Sequence, residues 1–148
     1  MKILCIGDTM LDVVAKLESE IHYASDTRAT ISTHGGGAAA NVASWLATTG
    51  INTHLIVRVG EDAAGKTVLS ELDRYGVGHS NTVLPGETTG VVIVLVDLTG
   101  ERTMFPDWGA NSGLGTEGPT GSGGHHRHLL VRLPTHQPKI ATRSFANN

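Results

Sequence analysis

Apolar and polar positions change rhythm several times along the chain, and each change marks an element. Lys2-Ile3-Leu4-Cys5-Ile6 is a short apolar run closed by Gly7-Asp8, the pattern of a strand buried on both faces of a sheet flanked by helices. Between residues 12 and 33 the apolar pieces shorten to Val13-Val14-Ala15 and Ala29-Thr30-Ile31, which predicts half-exposed strands. His34-Gly35-Gly36-Gly37 reads as a glycine turn that opens an alanine-rich helix over residues 38 to 47, with Gly50 as its stop. Residues 53 to 59 are rich in β-branched side chains and predict a strand. Residues 63 to 75 place Val68, Leu69 and Leu72 at helical spacing. After a turn at Pro85-Gly86, residues 91 to 96 predict a strand, which Leu98-Thr99-Gly100-Glu101 folds back onto Arg102-Thr103-Met104-Phe105 as a hairpin.

Past Asn111 this order stops. Residues 113 to 124 are rich in Gly, Ser, Thr and Pro, the histidines His125, His126 and His128 follow, and Leu129-Leu130-Val131 is the one apolar run. Such a composition buries too little apolar surface to offset chain entropy, so residues 113 to 148 are expected to be disordered or non-native. Residues 1 to 112 form the domain.

Length and charge narrow the picture. A chain of 148 residues supports one ordinary core. Its single cysteine, Cys5, rules out an internal disulfide and favours a reducing, cytoplasmic setting. No apolar run approaches the roughly 18 to 20 residues that cross a bilayer, so neither a membrane nor secretion is expected. Residues 1 to 117 carry a net charge of −7 and residues 118 to 148 one of +4. An acidic body argues against nucleic acid as a partner, because that binding depends on clustered Lys and Arg.

The candidate chemistry begins at Gly36-Gly37-Ala38-Ala39-Ala40-Asn41. Glycines let a ligand approach the backbone, a helix start offers unpaired N–H donors, and an asparagine amide both donates and accepts. Asp12, just after the first core strand, can accept hydrogen bonds from two vicinal hydroxyls. Together these suit a polyhydroxylated molecule such as a sugar. The plainer alternative is that the glycines form a simple turn and Asn41 caps a helix.

The run from Gly7 to Asp12, then Gly36-Gly37-x-x-x-Asn41-x-Ala43 with Gly50, then Val59-Gly60-x-Asp62-x-x-Gly65 resembles the N-terminal half of the ribokinase-like (PfkB) carbohydrate kinases. Gly76-Val77, Thr89-Gly90, Asp97-x-x-Gly100-Glu101-Arg102-Thr103 and Gly109-Ala110-Asn111 continue it in order, over about residues 2 to 112. The resemblance implies an α/β fold: an incomplete ribokinase-like parallel-sheet core with a small β lid. Residues 12 to 33 and 91 to 105 match the lid strands, through which the family often dimerises. It implies Asp12, Gly36, Gly37 and Asn41 as sugar contacts, and transfer of phosphate from ATP with Mg²⁺ to a sugar hydroxyl. Ribokinase itself has an asparagine where Met10 stands, so ribose is not singled out. The family's catalytic Asp-Thr-x-Gly-Ala-Gly-Asp stretch does not occur in this sequence. No catalytic or metal-binding residue is therefore assigned, and the chain is expected to be inactive alone and to bind ATP and Mg²⁺ only weakly.

Two rival readings come from other classes. Gly60-Glu61-Asp62-Ala63-Ala64-Gly65-Lys66-Thr67 matches the phosphate-loop pattern of P-loop NTPases, although Glu61 and Asp62 would set carboxylates beside phosphate. A non-catalytic sugar-binding or dimerisation module is the other. The histidine group at 125 to 128 is not read as a metal site. Cys5 and Trp45 are expected in the core, and Trp108 either at the ligand cleft or at the lid hinge.

Overall fold

The structure, a computed structural model, describes residues 2–114 and 128–132. Two four-stranded sheets organise the α/β chain. The first contains β1 (Lys2–Ile6), β4 (Asn52–Gly60), β5 (Gly78–Leu84) and β8 (His128–Arg132), all parallel, in the order β5-β4-β1-β8. Helices α1 (Ala38–Thr48) and α2 (Ala63–Arg74) are the crossovers that parallel strands require. Both pack on one face, where Ile3, Cys5, Leu55 and Val57 meet Ala39, Ala40 and Ala43 of α1 and Leu72 of α2. On the opposite face Ile6 is buried, while Leu4, His54 and Ile56 are half-buried. The expectation that β1 is buried on both faces therefore holds on the helix-covered face and, on the other, at Ile6.

The second sheet holds β2 (Met10–Leu17), β3 (Ala29–Gly36), β6 (Val91–Val96) and β7 (Arg102–Asp107), ordered β3-β2-β6-β7. β2–β3 and β6–β7 are antiparallel pairs, and β2–β6 is parallel. One of its faces buries Met10, Val92 and Val94, with Val14, Val96 and Trp108 packed around them. Trp108 packs against this cluster.

Three local expectations change. β5 escapes the hydrophobic pattern because Gly78-His79-Ser80-Asn81 is polar, as befits an edge strand. Trp45 is 76% exposed. The buried positions of α1 are Ala39, Ala40 and Ala43, and a residue two steps past Ala43 points about 200° away from the core. Finally, Gly35 and Gly36 complete β3, and only Gly37 adopts a left-handed backbone, with φ 96°. Leu129-Leu130-Val131 falls within β8. Gly113, Leu114, His128 and Arg132 of the expected tail are also described, and the remainder, including His125 and His126, lies outside the described residues.

Candidate functional site

The two sheets are joined at the Gly7-Asp8-Thr9 link between β1 and β2, and at Gly37 between β3 and α1. These two links touch. A Cβ at Gly37 would lie 2.7 Å from the Asp8 carbonyl oxygen and 2.8 Å from Thr9 Cα, so close approach and positive φ both require glycine.

Asp8 governs the start of α1. Its carboxylate accepts the N–H groups of Ala38 at 3.1 Å and Ala39 at 3.2 Å, and its carbonyl accepts that of Ala40 at 3.2 Å. The Asn41 N–H is donated to the Gly37 carbonyl at 3.0 Å. The free donors that the sequence suggests at this helix start are thus already taken. Gly37, the N-cap residue, has no side chain to do the capping, and a buried aspartate about thirty positions earlier does it instead.

Asp12 and Gly36 are brought together. The Asp12 carboxyl group packs directly against Gly36, in the space that a side chain there would occupy. Its Oδ1 is buried and has no hydrogen-bond partner among the described residues. Burial pushes the Asp12 carboxyl above the usual carboxylate range. The nearby Asp8 and Glu71 carboxylates add to the rise, and His34 opposes it. Asn41 sits in the first turn of α1, exposed, and borders a cavity between α1 and α2 that Thr9, Gly35 and Glu71 also line.

The sequence pattern does not point to the roles that the Glu71 and Asn111 side chains play. Glu71 Oε2 accepts the Gly35 N–H at 2.6 Å and so ties α2 to the end of β3. Asn111, 1% exposed, bonds both backbone groups of Thr9. The signal available for Asp8 was a helix opening on glycine with no capping side chain of its own. For Glu71, a carboxylate on one helix bonding an amide on a distant strand, the sequence carries none.

The Gly60–Thr67 segment is closed on itself. Asp62 caps α2, accepting the Gly65 N–H at 2.7 Å, the Thr89 hydroxyl at 2.6 Å and the Thr89 N–H at 2.8 Å. Burial opposes ionisation of Asp62, but these hydrogen bonds prevail and hold its carboxyl below the usual range. The Thr67 hydroxyl is donated to the Ala63 carbonyl. A protein carboxylate thus occupies the amide that a phosphate would need, which argues against the phosphate-loop reading.

The profile of the pfkB family carbohydrate kinases matches residues 1–118. The chain is 31% identical over 103 residues to pseudouridine kinase of Escherichia coli, covering 69% of this chain and 33% of that protein. It is 36% identical over 84 residues to the ATP-dependent ribose-1-phosphate kinase of Halopiger xanaduensis, covering 56% and 28%. Among solved structures, Arabidopsis thaliana ribokinase complexed with ribose and ATP aligns with a TM-score of 0.66 and 28% identity, over 74% of this chain and 36% of that one. Giardia lamblia ribokinase aligns with a TM-score of 0.68 and 21% identity, again over 74% and 36%, a likeness of fold. The chain therefore spans about a third of the length of the curated relatives it matches. With the ordered glycine and aspartate motifs on a parallel sheet and a second, mixed sheet, this match over residues 1–118 makes the chain a member of the pfkB family of carbohydrate kinases.

Proposed function

We propose that this chain is the sugar-binding and lid part of an ATP-dependent carbohydrate kinase, in which Asp12, Gly36, Gly37 and Asn41 hold the sugar whose hydroxyl is phosphorylated. The observation that carries this reading is the orphaned, buried Oδ1 of Asp12 beside a residue with no side chain. A buried acceptor left unpaired costs about 1–3 kcal/mol, and a sugar hydroxyl that donates to it removes that cost. Gly36 keeps the approach open, and the Asn41 amide offers a donor and an acceptor at the rim. The relatives named for pseudouridine and for ribose support a sugar or a sugar-bearing molecule as the substrate class.

The Gly65 N–H, which would face phosphate in a phosphate loop, donates to Asp62, so this segment is not assigned to ATP. The chain's own contribution is binding and orientation of the sugar, and it is inactive by itself in this reading.

The outer face of the lid supports a homodimer. Ile31, Ile93 and Phe105 share that face by register with Val13, Ala15 and Leu95, and the first three are exposed. No helix among the described residues is long and apolar enough to cross a membrane.

Titration calorimetry of the full chain with D-ribose and with pseudouridine tests the sugar site. Binding of at least one is expected, weakened by about 1.5–3 kcal/mol in Asp12→Ala, roughly 10- to 150-fold. Binding that Asp12→Ala leaves unchanged removes Asp12 from the site.

A further inference from the structure

The cavity between α1 and α2 has a volume of ≈ 270 Å³ and a make-up unlike that of the Asp12 site. Its apolar lining comes from Ala40, Val68 and Leu72, and two aromatic rings, Trp45 and Tyr75, line it from opposite helices. Both rings are exposed, and Trp45 belongs to neither buried cluster of the molecule. The polar side chains are Thr9, Asn41, Ser44, Thr48 and Glu71, and the Thr9 and Thr48 hydroxyls already donate to the Gly36 and Trp45 carbonyls. Among the described residues no hydrogen bond occupies the Asn41 amide or the Ser44 hydroxyl.

We propose that this cavity is a second small-molecule site, for a planar heteroaromatic ring that carries N–H donors on its edge, of the size and type of a nucleobase. It shares Asn41 with the proposed sugar site and extends away from it between the two helices, to Trp45 and Tyr75. A heteroaromatic ring has two apolar faces and a polar edge, which matches aromatic and aliphatic walls combined with a few polar groups. A free sugar carries hydroxyls around its whole periphery and would leave several of them against Ala40, Val68 and Leu72, unpaired. The cavity is near the small end of ligand pockets, which fits a single ring system and excludes a dinucleotide. A ring N–H that donates to Glu71 meets the same carboxylate that receives the Gly35 N–H, so the occupant would adjoin the strand end leading to Gly36.

Calorimetric titration of the full chain with uracil and with adenine, and separately with D-ribose, tests the assignment. Saturable binding of at least one base is expected, weakened about tenfold or more by Trp45→Ala and by Tyr75→Ala. D-ribose binding should be the same in both variants. Neither ring belongs to the buried core, so these variants keep the fold, and far-ultraviolet circular dichroism checks that. As a second readout, the base should quench tryptophan fluorescence in Trp108→Phe, where Trp45 is the sole emitter. Absence of saturable binding by either base, or binding that both alanine variants leave intact, overturns the proposal. Failure of D-ribose alone to bind counts against the sugar reading instead and leaves this result standing.

Discussion

Asn111 grips one residue, Thr9, at both of its backbone groups: its Nδ2 donates to the Thr9 carbonyl at 2.9 Å, and its Oδ1 accepts the Thr9 N–H at 3.4 Å. Thr9 links the two sheets and seats Gly37, so this pair fixes the junction at which Asp12 emerges. Asn111→Ala leaves two buried backbone groups unpaired, at about 1–3 kcal/mol each. A large drop in the urea midpoint with an unchanged slope is the expected result. A midpoint within experimental error of the parent would show that the clasp contributes nothing.

Asp12 sets a pH dependence of definite sign. Its carboxyl is raised in the folded chain, first by burial and then by Asp8 and Glu71. The folded state therefore holds the Asp12 proton more tightly than the unfolded state does, and stability falls as pH rises from the ordinary carboxylate value through the raised one. Asp12→Asn, which carries no charge at any pH, should melt higher than the parent at neutral pH, and the gap should close on acidification. Equal melting temperatures at neutral pH would contradict the burial of this charge. Added sugar that donates to Oδ1 should raise the parent's melting temperature and leave the Asn variant's less affected.

Asp62 behaves in the opposite sense. Its carboxyl is held low by Thr89 and Gly65 despite some burial, so its contribution is present above the unfolded-state value and is lost as pH falls through the depressed one. Loss of a helix cap by Asp62→Ala costs about 0.5–2 kcal/mol, and the released Thr89 groups add to that. If Asp62→Ala instead created micromolar affinity for Mg-ATP that Lys66→Ala abolished, the segment would be a phosphate loop held shut by its own carboxylate.

Two glycines with similar backbones should respond differently to alanine. Gly50 has φ 83° and open space for 4 Å around the point where an alanine methyl would sit, so Gly50→Ala meets only the left-handed penalty of about 1–2 kcal/mol. Gly37 has φ 96° and would also press its methyl group into Asp8 and Thr9. Gly37→Ala should therefore be the more destabilising of the two in thermal melts. The reverse order would show that the Asp8–Thr9 link yields easily.

The proposed lid dimer predicts that Phe105→Glu or Ile93→Glu, each a charge placed on the exposed apolar face, shifts the species seen by light scattering to the 15.5 kDa monomer. A parent chain that is already monomeric at micromolar concentration would dismiss the interface.

Several elements were legible in the sequence: β1 and β4 from apolar and β-branched runs, the helices from an alanine-rich stretch and helical spacing, and the β6–β7 hairpin from the turn between its strands. β5 was not, since an edge strand needs no apolar pattern. Trp45 misled because size and hydrophobicity alone do not say which side of an alanine-faced helix a residue occupies. At the site, Asp12, Gly36 and Gly37 were legible as chemistry in an ordered motif. The partners that position them were not, because Asp8 reaches about thirty residues forward, Glu71 thirty-six residues back and Asn111 about a hundred back. Contacts of that separation leave no periodicity in a single sequence.

The parallel pairing of β2 with β6 also has a consequence in time. Asp12 lies opposite Val92 across that pair, eighty positions later in the chain. At the roughly 5–20 residues per second of protein synthesis, the β2–β3 hairpin, complete at Gly36, waits about 3–11 s before the strand that covers Met10 and Val14 begins at Val91. Throughout that interval the nascent hairpin shows an open edge and an apolar face, which makes it a natural stretch for a ribosome-associated chaperone to hold.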